Sequence, residues 1–454
     1  MSAITEIFRK YTGRNGTGTL PSPEFVAALF RRGQVEEADS WCQRILRAVP
    51  GHGETLLLQA EIILARDGEP AFRGALERIE TQLAGNAAAL CRIGALWAQI
   101  GDYGNAGLLY RRALEIDLNS IAGLHDIAET EEAAGRIDSA RLLYDTILDA
   151  WPDGSRAYTR RAIMLMRQEW GAPLPTPDDK RQEAGLEKRI MMSELGEMGR
   201  FGHQLSQYLA LRIVGRVHRL RVEVPEWAGR WLFDLGDPYP SGRLPLLESR
   251  PGVIEKALSE EPGWSLAGRD FSGYFYCPAH LYAPHRDFIR TLFRPSEHLR
   301  PRLEGAMARL KRHGRTLVAL HIRRGDMAKK VNDARYWVAP EHWYLDWLVQ
   351  IWHTLDAPVL YIASDDPGMV KRFEDFAPLT SADAGETIPG AEFFLDFHVL
   401  SQADMLAISP SNFSSTAACL NQRATLFMRP SPKRGRLAPY DPWETNTSNT
   451  RPGA

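Results

Sequence analysis

The sequence predicts an all-α helical-repeat region joined to an α/β unit built on parallel strands. Three observations predict it. A pattern of glycine and small residues recurs with a 34-residue period before position 154. The segment Gly171-Ala-Pro-Leu-Pro-Thr-Pro-Asp-Asp then holds three prolines, which no helix tolerates. Beyond it, short apolar runs alternate with amphipathic stretches, as in βα units.

The repeats come first. Gly33-Gln-Val-Glu-Glu-Ala38, Gly101-Asp-Tyr-Gly-Asn-Ala106 and Gly135-Arg-Ile-Asp-Ser-Ala140 share one register. Cys42, Tyr110 and Tyr144 keep it four positions further on. A weaker copy has Gly68 and Ala71 near the expected place. Glycine ends one helix with a left-handed residue, and the small residue lets the next helix approach closely. This pattern resembles the tetratricopeptide repeat (TPR). Four units are expected over about 20–154, closed by a capping helix at Ser155–Trp170. The expected boundaries are 20–170 for the repeats, 171–185 for the linker, 186–430 for the α/β domain and 431–454 for an irregular tail.

In the α/β region the apolar runs Val217–Val224, Leu317–Ile322, Val359–Ala363, Met405–Ile408 and Thr425–Met428 are the expected strands. Composition is that of an ordinary globular protein, with 44% hydrophobic and 25% charged residues. Lys plus Arg is 55 against 57 Asp plus Glu, so the net charge of −2 argues against a whole-chain polyanion binder. Arg309 to Lys330 holds eight Lys or Arg against one Asp, but no nucleic-acid motif accompanies it. Cys42, Cys91, Cys277 and Cys419 are scattered, which predicts neither disulfides nor a metal cluster. The N-terminus lacks the apolar core of a signal peptide, and no run is long enough to span a bilayer; a cytoplasmic protein is expected.

Two segments carry chemistry. Gly199-Arg-Phe-Gly-His-Gln204 precedes a helical pattern through Leu205, Tyr208 and Ile213. A glycine loop opening a helix turns backbone N–H groups toward an anion, although such turns are also common without a ligand. Leu317-Val-Ala-Leu-His-Ile-Arg-Arg-Gly-Asp326 is an apolar strand ending in charge. Ligands of open α/β sheets bind beyond the carboxyl ends of strands. Adjacent arginines there repel unless an anion or carboxylate neutralises them, and the guanidinium fork fits phosphate oxygens. Ser364-Asp365-Asp366-Pro367 ends another strand and reads equally as an Asp N-cap with proline in the first turn.

The glycine loop and the His321-Ile-Arg-Arg-Gly-Asp326 strand end resemble the signatures of the α1,2-fucosyltransferases, glycosyltransferase family 11. Ser272-Gly-Tyr-Phe, Trp343-Tyr344, Ser364–Pro367 and the segment Asp396–Leu420 are similar to further family motifs in the same order. The resemblance spans about 195–430 and excludes the repeats. Departures are His203 for asparagine and Ser206 for phenylalanine in the loop, Tyr276-Cys277 for a Gln-Ser pair, and Ser415-Thr416 for paired tryptophans.

The resemblance implies a TPR solenoid followed by a GT-B fold of two Rossmann-like halves. It implies an inverting transfer of fucose from GDP-fucose with no metal or other cofactor. Arg323 would stabilise the leaving diphosphate, with Arg324 supporting it or pairing with Asp326. Gly199, Gly202, His203 and Gln204 would hold the donor. His321 and the Asp365-Asp366 pair would lie near guanine, and Ser414 and Ser415 would donate to phosphate. Asp326, Asp396 and Asp404 are the candidates for the base that inversion requires. The acceptor would be a glycan or protein, with the repeats docking it or a protein partner. A nucleotide-binding but inactive adaptor and a transferase of another GDP-sugar are the alternatives. Because the donor motifs all follow the linker, a chain beginning near Pro177 is expected to fold and bind GDP normally.

Overall fold

The computed structural model describes residues 20–151, 154–171, 188–250, 252–258, 266–275, 278–325, 337–385 and 387–444. The chain divides into two units, Met1–Pro152 and Asp153–Ala454.

The first unit is all α. Its described helices are α1 Pro23–Arg31, α2 Val35–Ala48, α3 Gly53–Asp67, α4 Glu69–Gln82, α5 Ala87–Gln99, α6 Tyr103–Ile116, α7 Ser120–Ala133 and α8 Ile137–Ala150. They form four helix pairs, each turning at a glycine. Gly33, Gly68, Gly101 and Gly135 have φ of 78°, 83°, 79° and 75°, a left-handed backbone that favours glycine. Ala38, Ala106 and Ala140 are fully buried, as the repeat register requires. In the weaker copy Ala71 is exposed, and the buried Phe72 takes the register position instead. Gly94 of α5 has a distinct reason: a Cβ there would lie 2.5 Å from the buried ring of Tyr110.

The second unit begins with α9, Ser155–Trp170. This helix was expected to cap the repeats. Instead Ala162, Ile163 and Met166 sit in one hydrophobic core with Ile190, Phe271, Ala319 and Tyr361. The boundary therefore lies before α9, because the apolar face of this helix is covered by the α/β layers. Gly171 ends it with φ 56°; the rest of the expected linker lies outside the described residues.

Two sheets follow. The first contains β1 Arg189–Met191, β2 Arg221–Glu223, β3 Leu246–Glu248 and β4 Arg269–Ser272, all parallel, in the order β2-β1-β4-β3. The second contains β5 Thr316–Ile322, β6 Pro358–Ser364, β7 Met405–Ala407, β8 Leu426–Ser431 and β9 Arg436–Pro439, in the order β6-β5-β7-β8-β9. Only β9 is antiparallel there. β5 reads as an unbroken apolar run because both its faces are covered. In each sheet the chain leaves a central strand toward opposite sides, β1 in the first and β5 in the second. Such reversal points leave a crevice at the carboxyl ends of the strands.

Two expectations need correction. Val217 and His218 are the last turn of α10, Phe201–His218, and not a strand; Arg219 turns the chain with φ 54° before β2. The helical apolar period through Ile213, Val214 and Val217 simply runs on. The tail is not irregular over 431–444: β9 pairs with β8, and Trp443 is buried in the core. Residues 445–454 lie outside the described residues. Among the described residues no helix is long and apolar enough to cross a membrane.

A chain beginning at Pro177 removes Ala162, Ile163 and Met166 from the core and exposes their contact surface, an aggregation liability. We expect it to aggregate, and a chain beginning at Gly154 to stay monodisperse, on size-exclusion chromatography.

Candidate active site

The site grows from two helix N-termini. The first opens α10. Gly199 has φ 73°, and a Cβ there would strike the His203 side chain at 2.5 Å. Gln204 is buried; its Nε2 donates to the Gly199 carbonyl at 3.0 Å and to Thr159 Oγ1 at 2.8 Å, which fixes the loop. Arg200 stands at the N-cap of α10 and His203 in its first turn. The second helix, Asn412–Leu420 (here α14), has Ser411 at its N-cap, four residues beyond the end of β7. Between α10 and α14 in the chain lie α11 Arg300–Lys311, α12 Glu341–Ile351 and α13 Phe393–Gln402.

The two termini touch. A Cβ on Gly202 would lie 2.6 Å from the Phe413 backbone nitrogen and 3.0 Å from its Cα. Only glycine allows this approach. Around it is a cavity of about 320 Å³, lined by Arg200–His203, His321, Arg323, Ala363–Asp365, Asp396 and Ser411–Phe413, with Tyr158, Ser381, Glu392 and Phe393. Each helix N-terminus carries a partial positive charge, and two arginines join them.

Arg323 follows β5, and its Nη1 lies 3.5 Å from Ser411 Oγ. His321 is buried, with Nδ1 2.6 Å from Ser409 Oγ. Burial, then the Arg323 cation, push its pKa down to about 3, so the imidazole is neutral at physiological pH. Its ring lies 5.4 Å from Phe413. Asn412 Nδ2 is buried with no hydrogen-bond partner among the described residues.

Asp396, in the first turn of α13, is a half-buried carboxylate of the cavity. Tyr361 donates its hydroxyl to Asp396 Oδ1 at 2.5 Å. Burial raises the Asp396 pKa to about 6, with the tyrosine hydrogen bond opposing the rise. Phe393 and Phe397 of the same helix lie 6.5 and 5.4 Å from the Phe413 ring. The cavity thus has an aromatic end holding a carboxylate and a polar end holding Arg323 and Ser411.

The structure brings together Gly202, His203, His321, Arg323 and Asp365 from the expected set. Others stand elsewhere. The Asp365 carboxylate accepts from the backbone N–H of Arg324 at 2.6 Å and of Gly325 at 3.1 Å, so it shapes the loop after β5. Asp366 caps the short helix Pro367–Val370, accepting from Gly368 N at 2.9 Å, and does not line the cavity. Arg324 is buried away from it; Nη1 donates to the Arg323 carbonyl at 3.1 Å and Nη2 lies 3.6 Å from Glu341. Ser414 Oγ donates to the Ser409 carbonyl at 3.2 Å, and Ser415 lines a smaller cavity behind α14. Ser411–Phe413, at the very start of the helix, line the cleft, whereas Ser414 and Ser415 are turned into the packing behind it. Gly199 and Gln204 support the loop without lining the cavity. Asp326 lies outside the described residues. Asp404 accepts from Leu317 N at 2.9 Å, at the opposite ends of the strands from the cleft. Among the described residues no group of three or more His, Cys, Asp or Glu is placed to hold a metal.

Sequence reasoning missed Arg200, Ser411, Asn412 and Phe413. Arg200 was visible inside the glycine motif, and Ser411-Asn412 as a helix-start pair. Tyr158 gave no signal.

The motif around Arg323, the turn at Asp365 and the start of α14 fall within residues 263–434, which match the family model described as Glycosyl transferase family 11. This stretch of the second unit is similar to the family 11 glycosyltransferases. The match covers less than half of the chain and leaves out the glycine loop and α9. NodZ, an α1,6-fucosyltransferase soaked with GDP-fucose, is 13% identical, with 56% of this chain and 99% of that one covered at a TM-score of 0.37. Fucosyltransferase NodZ from Bradyrhizobium is 11% identical over the same shares, with a TM-score of 0.38. MamA is 18% identical over 32% of this chain and 84% of its own, with a TM-score of 0.22. These overlaps are low, and none carries weight for the function of this glycosyltransferase. No curated relative matches the chain.

Asp396 has a folded-state pKa above its ordinary value, so the fold prefers it protonated. Its ionisation costs stability above about pH 6, and the cost vanishes as pH falls toward 4. Asp396→Asn should therefore raise the melting temperature at pH 7, by roughly 1–3 kcal/mol of stability. The gain should fade in scans at successively lower pH.

Proposed function

We propose that the second unit transfers fucose from GDP-fucose with inversion and without a metal, and that the repeats dock the acceptor or a partner protein. The observation that supports it most is the meeting of Arg323, at the end of β5, with the N-terminus of α14 in one cavity. When the glycosyl bond breaks, negative charge builds on the leaving diphosphate. A fixed guanidinium and prearranged N–H donors stabilise that charge without reorganising. Arg200 adds a second cation to the same wall.

The aromatic end suits a planar base. Asp396 is the carboxylate that stands on the same helix as Phe393 and Phe397 at that end, so in this reading it recognises guanine. Its free oxygen can accept from N1–H or the 2-amino group while Tyr361 holds the other. The neutral His321, fixed by Ser409, offers a ring nitrogen rather than a charge. Arginine in place of a divalent cation is the basis for proposing metal independence.

The test is binding and slow donor hydrolysis across GDP- and UDP-sugars, with and without EDTA. GDP-fucose should be preferred and EDTA should leave the rate unchanged. Preference for another GDP-sugar would replace the donor, and binding with no turnover of any donor or acceptor would leave an adaptor.

Arg323→Ala should lower transfer by roughly 10²–10³. Arg323→Lys should recover little of it, since an ammonium lacks the fork. Steady-state rates of both variants at saturating donor check this.

A further inference from the structure

The helix α9 precedes the glycine loop, lies outside the family-matched residues and was expected to belong to the repeats. One of its residues nevertheless reaches the cleft, and the next holds the glycine loop. Tyr158 lines the cavity, with its ring 5.8 Å from Phe393 and so at the aromatic end that also holds Asp396. Among the described residues its hydroxyl has no hydrogen-bond partner. The neighbouring Thr159 is buried; its Oγ1 donates to the Gly196 carbonyl and accepts from Gln204 Nε2, both at 2.8 Å. Gln204 in turn holds the Gly199 carbonyl at 3.0 Å. Thr159 thus ties both ends of the glycine loop to one hydroxyl.

The packing is close enough to restrict what faces it. Gly196 has φ 99°, and its absent Cβ would lie 3.0 Å from Thr159 Cγ2. Gly390 has φ 79°, and a Cβ there would meet the Ala162 carbonyl at 2.5 Å. Ion pairs Arg167–Glu226 and Arg302–Glu169 hold the far end of the helix.

We propose that α9 is a working part of the donor site. Tyr158 is a further contact for the bound nucleotide at its base end. Thr159 is a positioning residue that acts on the glycine loop through Gly196 and Gln204. The inference rests on the reading of the cleft as a GDP-sugar site.

Full-length variants test it, with GDP affinity by calorimetry, hydrogen exchange at amides 196–204 without ligand, and melting temperature. Thr159→Val removes the hydroxyl and keeps the shape. It should weaken GDP about tenfold, the worth of one buried hydrogen bond, and speed exchange at 196–204. Thr159→Ser should restore both. Tyr158→Phe should weaken GDP by roughly three- to tenfold with exchange and melting unchanged. Wild-type affinity and exchange in Thr159→Val, or wild-type affinity in Tyr158→Phe, would overturn the corresponding role. Should Thr159→Val unfold globally, Thr159→Ala takes its place, and wild-type affinity and exchange in that variant overturn the role of Thr159. Failure of the wild-type protein to bind GDP would instead overturn the reading of the cleft, while ligand-free exchange still reports on Thr159.

Discussion

The site depends on one missing side chain. Gly202 lets the start of α10 lie against the start of α14, with the Phe413 backbone nitrogen 2.6 Å from where a Cβ would stand. That contact joins the two halves of the α/β unit at the reversal points of both sheets. The positive ends of two helices, Arg200 and Arg323 then share one cavity. In the proposed function this is the wall that faces the diphosphate.

Around this centre, the neighbouring polar groups are arranged so that they do not cancel the positive field. Asp365 lines the same cavity and gives one oxygen, Oδ1, to the backbone N–H groups of Arg324 and Gly325. Arg324 turns toward Glu341. His321 is kept neutral by burial and by Arg323. Asp396 sits at the aromatic end with a pKa near 6, ionised at neutral pH only at a cost to the fold. A half-buried carboxylate with a raised pKa inside a cleft is a common mark of function, because packing alone would favour a neutral residue.

The same economy explains α9. A helix that reads as the end of a repeat array carries an apolar face into the transferase core and a hydroxyl to the glycine loop. Its amphipathic pattern states that one face is buried; nothing in it states against what.

Sequence alone determined the elements whose cause is local. The positive-φ glycines at 33, 68, 101 and 135 mark the repeat turns, the apolar runs mark β5 to β8, and the His321–Gly325 strand end marks the cleft. These follow from backbone sterics and hydrophobic period. Short strands such as β1 and β3, three residues each, were invisible because three residues hold too little pattern. Tertiary structure decided which polar groups are free. Asp365 and Asp366 look alike in sequence, yet one holds a loop at the cavity and the other caps a helix outside it, while Asp396, 30 residues on, joins Asp365 in the lining. Ser411 and Ser414 look alike in sequence, yet Ser411 stands before the helix and lines the cavity while the Ser414 hydroxyl is turned back onto the Ser409 carbonyl. Such assignments depend on what the fold places within 3 Å of each oxygen, a distance between residues far apart in the chain that no local pattern encodes.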